Sequence, residues 1–305
     1  MPDRLGDRVW PYDSASRRRA RSLWRVATAA ARSRSMEPMI LPAYWWNGHP
    51  NFGDALTPWI LARYGVVAVH TPPDRARASG VGSIVEQLQS DFSGTIWGSG
   101  LLHGDPLELP QARVLAVRGP LTKAALGIEE DVALGDPGLL VGRWASRGRA
   151  RWRIGIVPHG VHREDPSLQD LVARRVRGAT VVDVRRGPGA VIRHISHCSA
   201  VLTTSLHGLV VADALGIPAA WTQRHPPLWG GDFKFRDYEA VVTPGRSREI
   251  RTDGVLSSTD LLAAMALPDT EAREESIARV EETIRDLPVS RESVWRVQAM
   301  RRGHR

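Results

Sequence analysis

Apolar strand patterns alternate with helical patterns along most of this 305-residue chain, and this alternation restricts the fold more than any other feature. A first run begins near Met39, and a second run follows a basic, loop-like stretch at residues 143–153. Strands separated by helices are typical of doubly wound parallel sheets. The sequence therefore predicts an α/β fold with two doubly wound, Rossmann-like parallel-sheet domains that face each other across a cleft.

The predicted elements divide the chain into a basic N-terminal leader at 1–37, a first Rossmann-like domain at 38–145, a second one at 150–268 and a helical tail at 269–305. The predicted strands are 39–46, 66–70, 95–97, 114–117, 132–134, 154–157, 180–184, 201–203 and 219–221. The predicted helices are 54–64, 168–177, 190–198, 206–215 and 270–285, and one more begins at Pro120.

Composition excludes several classes of protein. No run approaches the 18 apolar residues of a membrane span, and we expect no secretory signal. The lone cysteine, Cys198, rules out an internal disulfide, and its helical pattern favours a small buried residue over a nucleophile. No Cys/His cluster has ligand spacing, so no metal is expected. We expect the protein to be in the cytoplasm, either free or at the inner face of the membrane.

Arginine supplies nearly all of the positive charge behind the net charge of +8, because only Lys123 and Lys234 among 41 basic residues are lysines. A GC-rich genome explains most of this bias, but a basic surface still attracts anionic partners. Residues 14–35 contain seven arginines and no acid, around Leu23 and Trp24, and are predicted to be helical. This segment fits either an interfacial helix on anionic lipid or a frayed leader, and its thin apolar face favours the second.

The stretch Thr203–Gly208 indicates a binding site most directly, because a buried strand gives way there to an apolar helix. Ligands of open α/β sheets collect at the carboxyl ends of strands, where helix N-termini offer unpaired N–H groups. Ser205 suits the N-cap position, which leaves His207 in the first turn and directed into that crevice. The alternative is a histidine that only satisfies local hydrogen bonds.

Two further loops follow predicted strands. In the loop 47–54, Gly53 can adopt a left-handed conformation and Asp54 can cap the next helix, while Asn51 can face a ligand. The loop Gly98-Ser99-Gly100 lets a backbone approach a phosphate or sugar, although such a tripeptide is more often a tight turn.

Two cationic positions complete the candidate site. Arg118 lies at a strand end before a helix N-terminus, where its guanidinium could bind a carboxylate or phosphate or could pair with a neighbouring acid. Lys234 lies between two phenylalanines after Gly230-Gly231, so a flexible loop is expected to carry it into a cleft.

Five motifs in this order resemble the polysaccharide pyruvyl transferase family, and its exopolysaccharide branch in particular, over about two thirds of the chain. They are Asn51-Phe52-Gly53-Asp54, Arg118-Gly119-Pro120-Leu121-Thr122, Gly135-Asp136-Pro137, Ser205-Leu206-His207-Gly208 and Lys234-Phe235-Arg236-Asp237-Tyr238. The resemblance implies a GT-B-like fold. It also implies a transferase that moves a pyruvyl group from phosphoenolpyruvate to two hydroxyls of a sugar, as a ketal, in a bacterial polysaccharide or its precursor. The resemblance implies neither a metal nor a cofactor.

The resemblance also implies anion-binding or catalytic roles for Arg118, His207 and Lys234. The two cations would hold the carboxylate and phosphate of phosphoenolpyruvate, and His207 would protonate its methylene carbon. The expected substrate-binding residues are Asn51, Asp54, Gly98, Ser99, Gly100 and Ser205. Many relatives have arginine where this chain has Ser205, so a donor contact made there would need another source.

Two other functions fit the sequence less well. A GT-B glycosyltransferase with a nucleotide-sugar donor would share the two-domain cleft, but no glutamate in the second domain is a clear ribose ligand. A non-catalytic protein could bind nucleic acid or acidic glycan through the basic leader. This leader lacks the aromatic interleaving of single-strand binders, so no nucleic acid is expected. The expected partners are phosphoenolpyruvate, a sugar or lipid-linked oligosaccharide acceptor and a membrane surface at the basic N-terminus.

Overall fold

The computed structural model describes residues 15–32, 39–48, 50–251 and 258–291. In this part of the chain the fold is α/β, with one six-stranded and one four-stranded sheet whose paired strands all run parallel. The alternation of strands and helices that the sequence predicts is therefore confirmed. The residues outside these ranges include parts of the predicted leader and tail.

The six-stranded sheet has the order β2-β1-β3-β4-β5-β6. Its strands are β1 (Met39–Tyr44), β2 (Val66–His70), β3 (Ala78–Ser79), β4 (Thr95–Trp97), β5 (Arg113–Val117) and β6 (Ala133–Leu134). Helix α2 (Leu56–Leu61) and a 3₁₀ turn connect β1 to β2, and Gly65 ends this connection with a left-handed φ of 79°. Helix α3 (Pro120–Ala125) begins with a proline, which suits the first helical turn.

The four-stranded sheet has the order β10-β9-β7-β8. Its strands are β7 (Trp152–Val157), β8 (Ala179–Val181), β9 (Cys198–Thr203) and β10 (Ala219–Trp221), and its helices are α4 (Pro166–Asp170), α5 (Pro188–Ser196) and α6 (Leu206–Ala214). A π-helical turn, Leu171–Arg175, extends α4. Cys198 is buried as predicted, but it begins β9 instead of ending a helix, and burial raises the pKa of its thiol to about 12.

Each sheet contains one point where the strand order reverses. In the first sheet it lies between β1 and β3, and in the second it lies between β7 and β9. The loops that leave the carboxyl ends of these strands are residues 45–55, 80–83, 158–162 and 204–205. Because ligands of open α/β sheets bind at such points, we expect a binding site at these four loops.

Three helices follow the second sheet, namely α7 (Phe233–Val242), α8 (Ser258–Ala264) and α9 (Thr270–Glu282). Helix α9 confirms the helix predicted at 270–285, but the flexible loop predicted around Lys234 is wrong, because this residue lies in α7. Phe235, Tyr238 and Val242 have helical spacing and are all fully buried. The two glycines just before the helix, Gly230 and Gly231, both have a left-handed conformation. Such a pair is typical of a loop, so it favoured a loop prediction for the residues that follow.

The C-terminal part of the described chain returns to the first sheet. Ser276 of α9 donates a hydrogen bond to the Leu134 carbonyl at 2.8 Å, and the Trp97 indole donates to Thr283 Oγ1 at 3.0 Å. Ser290 forms an antiparallel bridge with Ile40 of β1. The largest hydrophobic cluster contains residues from both sheets and from α7, so one continuous apolar core connects them.

The N-terminal segment is helical as predicted. Helix α1 (Ala15–Arg32) packs against the 3₁₀ turn Ala62–Tyr64 and against β2. Trp24 stacks on Trp59 with ring centroids 6.3 Å apart. The described part of the leader is therefore docked on the first sheet, and the expectation of a frayed segment is wrong for it. None of the helices in the described ranges has the length and apolarity needed to cross a membrane.

A buried carboxylate attaches α7 to the first sheet. Asp237 accepts a hydrogen bond from Arg118 Nε at 2.9 Å and two more from Thr122, through its amide at 3.0 Å and its hydroxyl at 2.6 Å. A β-carbon at Gly119 would overlap the Asp237 carbonyl, so this contact requires glycine. Two of the five motifs, Arg118–Thr122 and Lys234–Tyr238, are thus partners in one interlocked contact.

Replacing Asp237 with alanine should lower the free energy of unfolding by about 3–5 kcal/mol, because it leaves the Arg118 charge buried without its carboxylate. Arg236→Ala is the matched control, since its ion pair with Asp232 on the same helix is exposed and should contribute about 0–1 kcal/mol. Urea unfolding of both variants measures the difference. Equal losses for the two substitutions would contradict the interlocking role of Asp237.

Candidate active site

The loops at the two reversal points meet each other. The Phe52 amide, in the loop after β1, donates a hydrogen bond to the Val184 carbonyl beyond β8 at 3.0 Å. The next residue, Gly53, lies against the ring of His207 at the start of α6, and a β-carbon on Gly53 would overlap Nδ1 of this ring. The contact brings the ligand-binding ends of both sheets to one place.

His207 occupies the first turn of α6, as the sequence predicts, and only 7% of it is exposed. Its ring packs edge-on against Phe52, with centroids 6.4 Å apart. Its Nε2 atom points at Oδ2 of Asp136, 3.5 Å away. The Asp136 carboxylate therefore lies where it can set the orientation of the imidazole ring.

Asp136 follows β6 and uses its two oxygens differently. Oδ1 accepts a hydrogen bond from the Gly138 amide at 2.7 Å and so caps the 3₁₀ turn Pro137–Arg143. Oδ2 has no hydrogen-bond partner and faces His207. Asp136 belongs to the Gly135-Asp136-Pro137 motif and was not among the predicted site residues. Its position at a strand end was the available signal.

Unpaired polar atoms distinguish this pair from the rest of the described structure. Among the described residues, three buried side-chain nitrogen or oxygen atoms lack a hydrogen-bond partner, and two of them are Asp136 Oδ2 and His207 Nε2. Buried polar groups are almost always paired, so exceptions require an explanation. Two unpaired atoms of opposite character that face each other are what a site poised for proton transfer would show.

The loop before α2 differs from its predicted geometry. Gly53 does not adopt a left-handed conformation, and its small size is needed instead for the close approach of the His207 ring. The N-cap of α2 is Ala55, not Asp54. Asp54 accepts a hydrogen bond from the Asn51 side-chain amide at 2.6 Å. Asn51 and Asp54 therefore orient each other at the edge of the site.

Lys234 lies in the first turn of α7 and is 7% exposed. Burial, and to a smaller extent the nearby Arg118 charge, lower the pKa of its ammonium to about 8, and Asp54 opposes this shift. Among the described residues, none accepts a hydrogen bond from this ammonium. The helix, rather than a flexible loop, therefore holds an available cation near the loop that carries Asp54.

Arg118 is fully buried at the end of β5, and all three of its nitrogens are engaged. Besides Asp237, they donate to Ser83 Oγ and to the Leu101 carbonyl, both at 2.6 Å. Desolvation lowers the pKa of Arg118, and Asp237 opposes this shift most strongly. The geometry matches the alternative in which Arg118 pairs with a neighbouring acid, and its direct contact with an anion stays a prediction.

The Gly98-Ser99-Gly100 loop packs against residues next to the site. Gly98 has a φ of 77° and packs against Pro137, while Gly100 leaves room for the Arg118 guanidinium. The buried Ser99 hydroxyl interacts with Ser79 Oγ at 2.8 Å and donates to the Gly80 carbonyl. The loop is therefore the tight turn that was the alternative prediction, because the Ser99 side chain makes its hydrogen bonds inside the sheet.

The loop after β9 is fixed by threonines. Ser205 holds the N-cap position as predicted, but its side chain makes no capping hydrogen bond, and its amide donates to Thr203 Oγ1 at 2.9 Å. Thr204 Oγ1 lies 3.0 Å from Nδ1 of His162, whose Nε2 lies 2.7 Å from the Pro226 carbonyl. The sequence analysis missed His162, although it lies in a loop after a strand, where the same rule would have indicated it.

The predicted site residues thus form two adjacent groups. His207, Asp136 and Gly53 form the first, and Lys234 and Arg118 form the second with Asp54. Asp136 acts electrostatically on Arg118 and so connects them. The residues of both groups are largely buried, with at most 9% exposed for His207, Lys234 and Asp54. A cavity of about 780 Å³ lies elsewhere, and Met39, Tyr64, Arg143 and Glu281 are among the residues that line it.

Gly53→Ala should lower the free energy of unfolding by about 1–3 kcal/mol, because the added methyl group has to displace the His207 ring. Gly160→Ala is the control, since its β-carbon would meet no atom within 4 Å. Urea unfolding distinguishes the two variants. Unchanged stability of Gly53→Ala would show that the ring does not rest on this residue.

The chain matches one protein-family model and at least two curated proteins. The polysaccharide pyruvyl transferase model matches residues 109–226, which include Arg118, Asp136 and His207. Succinoglycan biosynthesis protein ExoV of Rhizobium meliloti (strain 1021) is 27% identical over 211 residues, 66% of this chain and 64% of ExoV. Uncharacterized protein L143 of Acanthamoeba polyphaga mimivirus is 28% identical over 171 residues, 53% of this chain and 58% of L143.

These matches extend over less than two thirds of each relative's length. The motifs at Asn51–Asp54 and Lys234–Tyr238 lie outside the region that the family model matches. Inside that region, both members of the His207–Asp136 pair are included. The resemblance of the chain to the polysaccharide pyruvyl transferase family, which the five motifs indicate, is therefore confirmed.

Proposed function

We propose that the protein is a polysaccharide pyruvyl transferase. It transfers a pyruvyl group from phosphoenolpyruvate to two hydroxyls of a sugar in a bacterial exopolysaccharide or its precursor and forms a ketal. The single observation that carries this proposal is the buried pair of His207 and Asp136, whose unpaired atoms face each other where the ligand-binding ends of both sheets meet. The family resemblance and the similarity to ExoV support the reaction class.

His207 is the proposed general acid. When the loop that carries Gly53 moves away from the ring, Nδ1 of the protonated imidazole gives its proton to the methylene carbon of phosphoenolpyruvate while a sugar hydroxyl forms a bond to the central carbon, and the proton of this hydroxyl returns to Nδ1. The second hydroxyl then forms the second carbon–oxygen bond as the carbon–phosphate oxygen bond breaks. Phosphate leaves with the electron pair and takes the second hydroxyl proton.

Asp136 positions the acid. Its Oδ2 lies close enough to Nε2 that a small movement forms a hydrogen bond, which would fix the ring orientation. Oδ1 is tied to the Gly138 amide, so the carboxylate cannot rotate freely.

Lys234 is the proposed cation for one anionic group of the donor. Its ammonium is buried and has no hydrogen-bonded acceptor among the described residues, so binding an anion there would satisfy it. The amides at the N-terminus of α6 can bind the other group. Arg118 would contribute its positive charge and the position of α7, in keeping with its internal hydrogen bonds.

The proposed arrangement is GT-B-like, with two Rossmann-like units that contribute loops to one site. Two doubly wound sheets support it, since the loop at the reversal point of the first sheet contacts the helix that follows β9 at the reversal point of the second. Since His207, Lys234 and Arg118 are all less than a tenth exposed, substrate entry requires the facing loops to separate. We place the enzyme in the cytoplasm, with a sugar or lipid-linked oligosaccharide as acceptor and with no resident cofactor.

Turnover tests the proposal. Phosphoenolpyruvate is incubated with a panel of glycosides, phosphate release is followed, and the product is examined by NMR for a new methyl signal on a ketal carbon. We expect phosphate release that depends on the acceptor. Phosphate release without a ketal, or turnover of nucleotide sugars in place of phosphoenolpyruvate, would contradict the proposed reaction.

His207→Ala should lower turnover by about 10²-fold or more, since a positioned general acid contributes that much. Asp136→Asn should cause a smaller loss, because the acid remains but is less well held. His197→Ala is the matched control, as this histidine precedes β9 at the opposite end of the strand and bonds the Arg149 carbonyl. Near-normal turnover of His207→Ala would show that His207 has only a structural role.

The pH dependence should report Lys234. With a pKa of about 8, the ammonium is charged below that pH and neutral above it, so kcat/KM for phosphoenolpyruvate should fall as pH rises through about 8. Lys234→Arg keeps its charge over this range and should lose that fall, at a lower absolute rate. Lys234→Met should be impaired at every pH. A Lys234→Arg profile identical to that of the original enzyme would exclude this assignment.

A further inference from the structure

Helix α1 carries an exposed apolar face. Ala20, Leu23, Ala27 and Ala31 follow one another at three- or four-residue spacing, so they share one side of the helix, and all four are exposed. Leu23 is 70% exposed and the adjacent Trp24 is 41% exposed. The opposite side packs on the protein through the fully buried Ala29. The apolar face therefore points away from the core.

Positive charge borders this face. The helix contains six arginines and no acid. From 100° per residue, Arg19 lies on one flank of the apolar face, and Arg21 and Arg32 lie on the other, and all three are exposed. An apolar stripe bordered by arginines is the pattern of helices that lie in the headgroup region of a membrane.

The helix is held in place by aromatic stacking. The Arg63 guanidinium lies 3.2 Å from the Trp59 ring centroid and 4.9 Å from that of Trp24, with Trp24 stacked on Trp59. Trp24 stays 41% exposed despite these contacts, so the apolar face is presented on a fixed support. A preformed helix loses less conformational entropy on binding than one that has to fold on the surface.

We propose that α1 docks the protein on an anionic lipid bilayer, with Leu23 and the alanines towards the acyl chains and the arginines among the headgroups. The charges are complementary, since an arginine-rich helix without acids meets a surface of negative phosphates. Residues 14–35 supply the basic cluster that such binding needs, and Leu23 supplies the apolar contact.

Docking would bring the candidate site close to the bilayer. The Arg25 guanidinium of α1 lies 6.0 Å from the Trp45 ring, and Trp45 begins the loop that contains Asn51 and Gly53. If the proposed function holds, this places the candidate site near the headgroups, where a lipid-linked sugar would be found. Lipid binding itself does not depend on the proposed function.

Vesicle cosedimentation of the full chain tests the inference. We expect binding to vesicles of phosphatidylcholine with phosphatidylglycerol, weaker binding to phosphatidylcholine alone, and a decrease with salt. Leu23→Glu should weaken binding to the anionic vesicles about tenfold or more. Leu267→Glu is the matched control, because Leu267 is also exposed but lies far along the chain. Thermal unfolding confirms that both variants fold.

A second readout locates the helix in the bilayer. A fluorophore attached to Leu23→Cys should shift to the blue with anionic vesicles, and the buried Cys198, whose thiol pKa is raised to about 12, should not react. Three results would overturn the inference. They are no binding to anionic vesicles, equal binding of Leu23→Glu and the original protein to these vesicles, or binding to nucleic acid that is tighter than to vesicles and does not depend on Leu23. Turnover on a soluble acceptor should be unchanged in Leu23→Glu, which separates this failure from a failure of the proposed function.

Discussion

The buried ion pair between Arg118 and Asp237 is the interaction on which the site depends. It joins the end of β5 to α7, and therefore sets where Lys234, three residues before Asp237, is held. Both side chains are completely buried, so neither charge can be removed without leaving the other unpaired in the interior. An arginine expected to clamp a ligand instead fixes the helix that supplies the available cation.

The site combines this fixed frame with groups left unsatisfied. Arg118 and Asp237 have their hydrogen bonds completed by Ser83, Leu101 and Thr122, whereas His207 Nε2 and Asp136 Oδ2 have none. A satisfied network gives rigidity, and buried polar atoms without hydrogen-bond partners are rare enough to mark a candidate for ligand contact or proton transfer. The contrast separates residues that hold the site from residues proposed to act in it.

Local patterns explain what the sequence could predict. Parallel strands, their connecting helices and the position of His207 follow from apolar periodicity and from the rule that ligands gather at strand ends. The burial of Arg118 could not be predicted this way, because its carboxylate partner is 119 residues away in the sequence. The same holds for Asp136, whose role appears only when α6 brings His207 next to it. Helix α7 was missed for a local reason, since the diglycine before it is typical of a loop.

The central claim is that a proton from His207, held by Asp136, reaches the methylene carbon of phosphoenolpyruvate. Its most direct measurement is the reaction in deuterium oxide, with the ketal product analysed by mass spectrometry and NMR. The account predicts one deuterium in each new methyl group with the original enzyme, and almost no deuterated ketal with His207→Ala. A ketal methyl group without deuterium, or the same deuterated yield from His207→Ala, would contradict it.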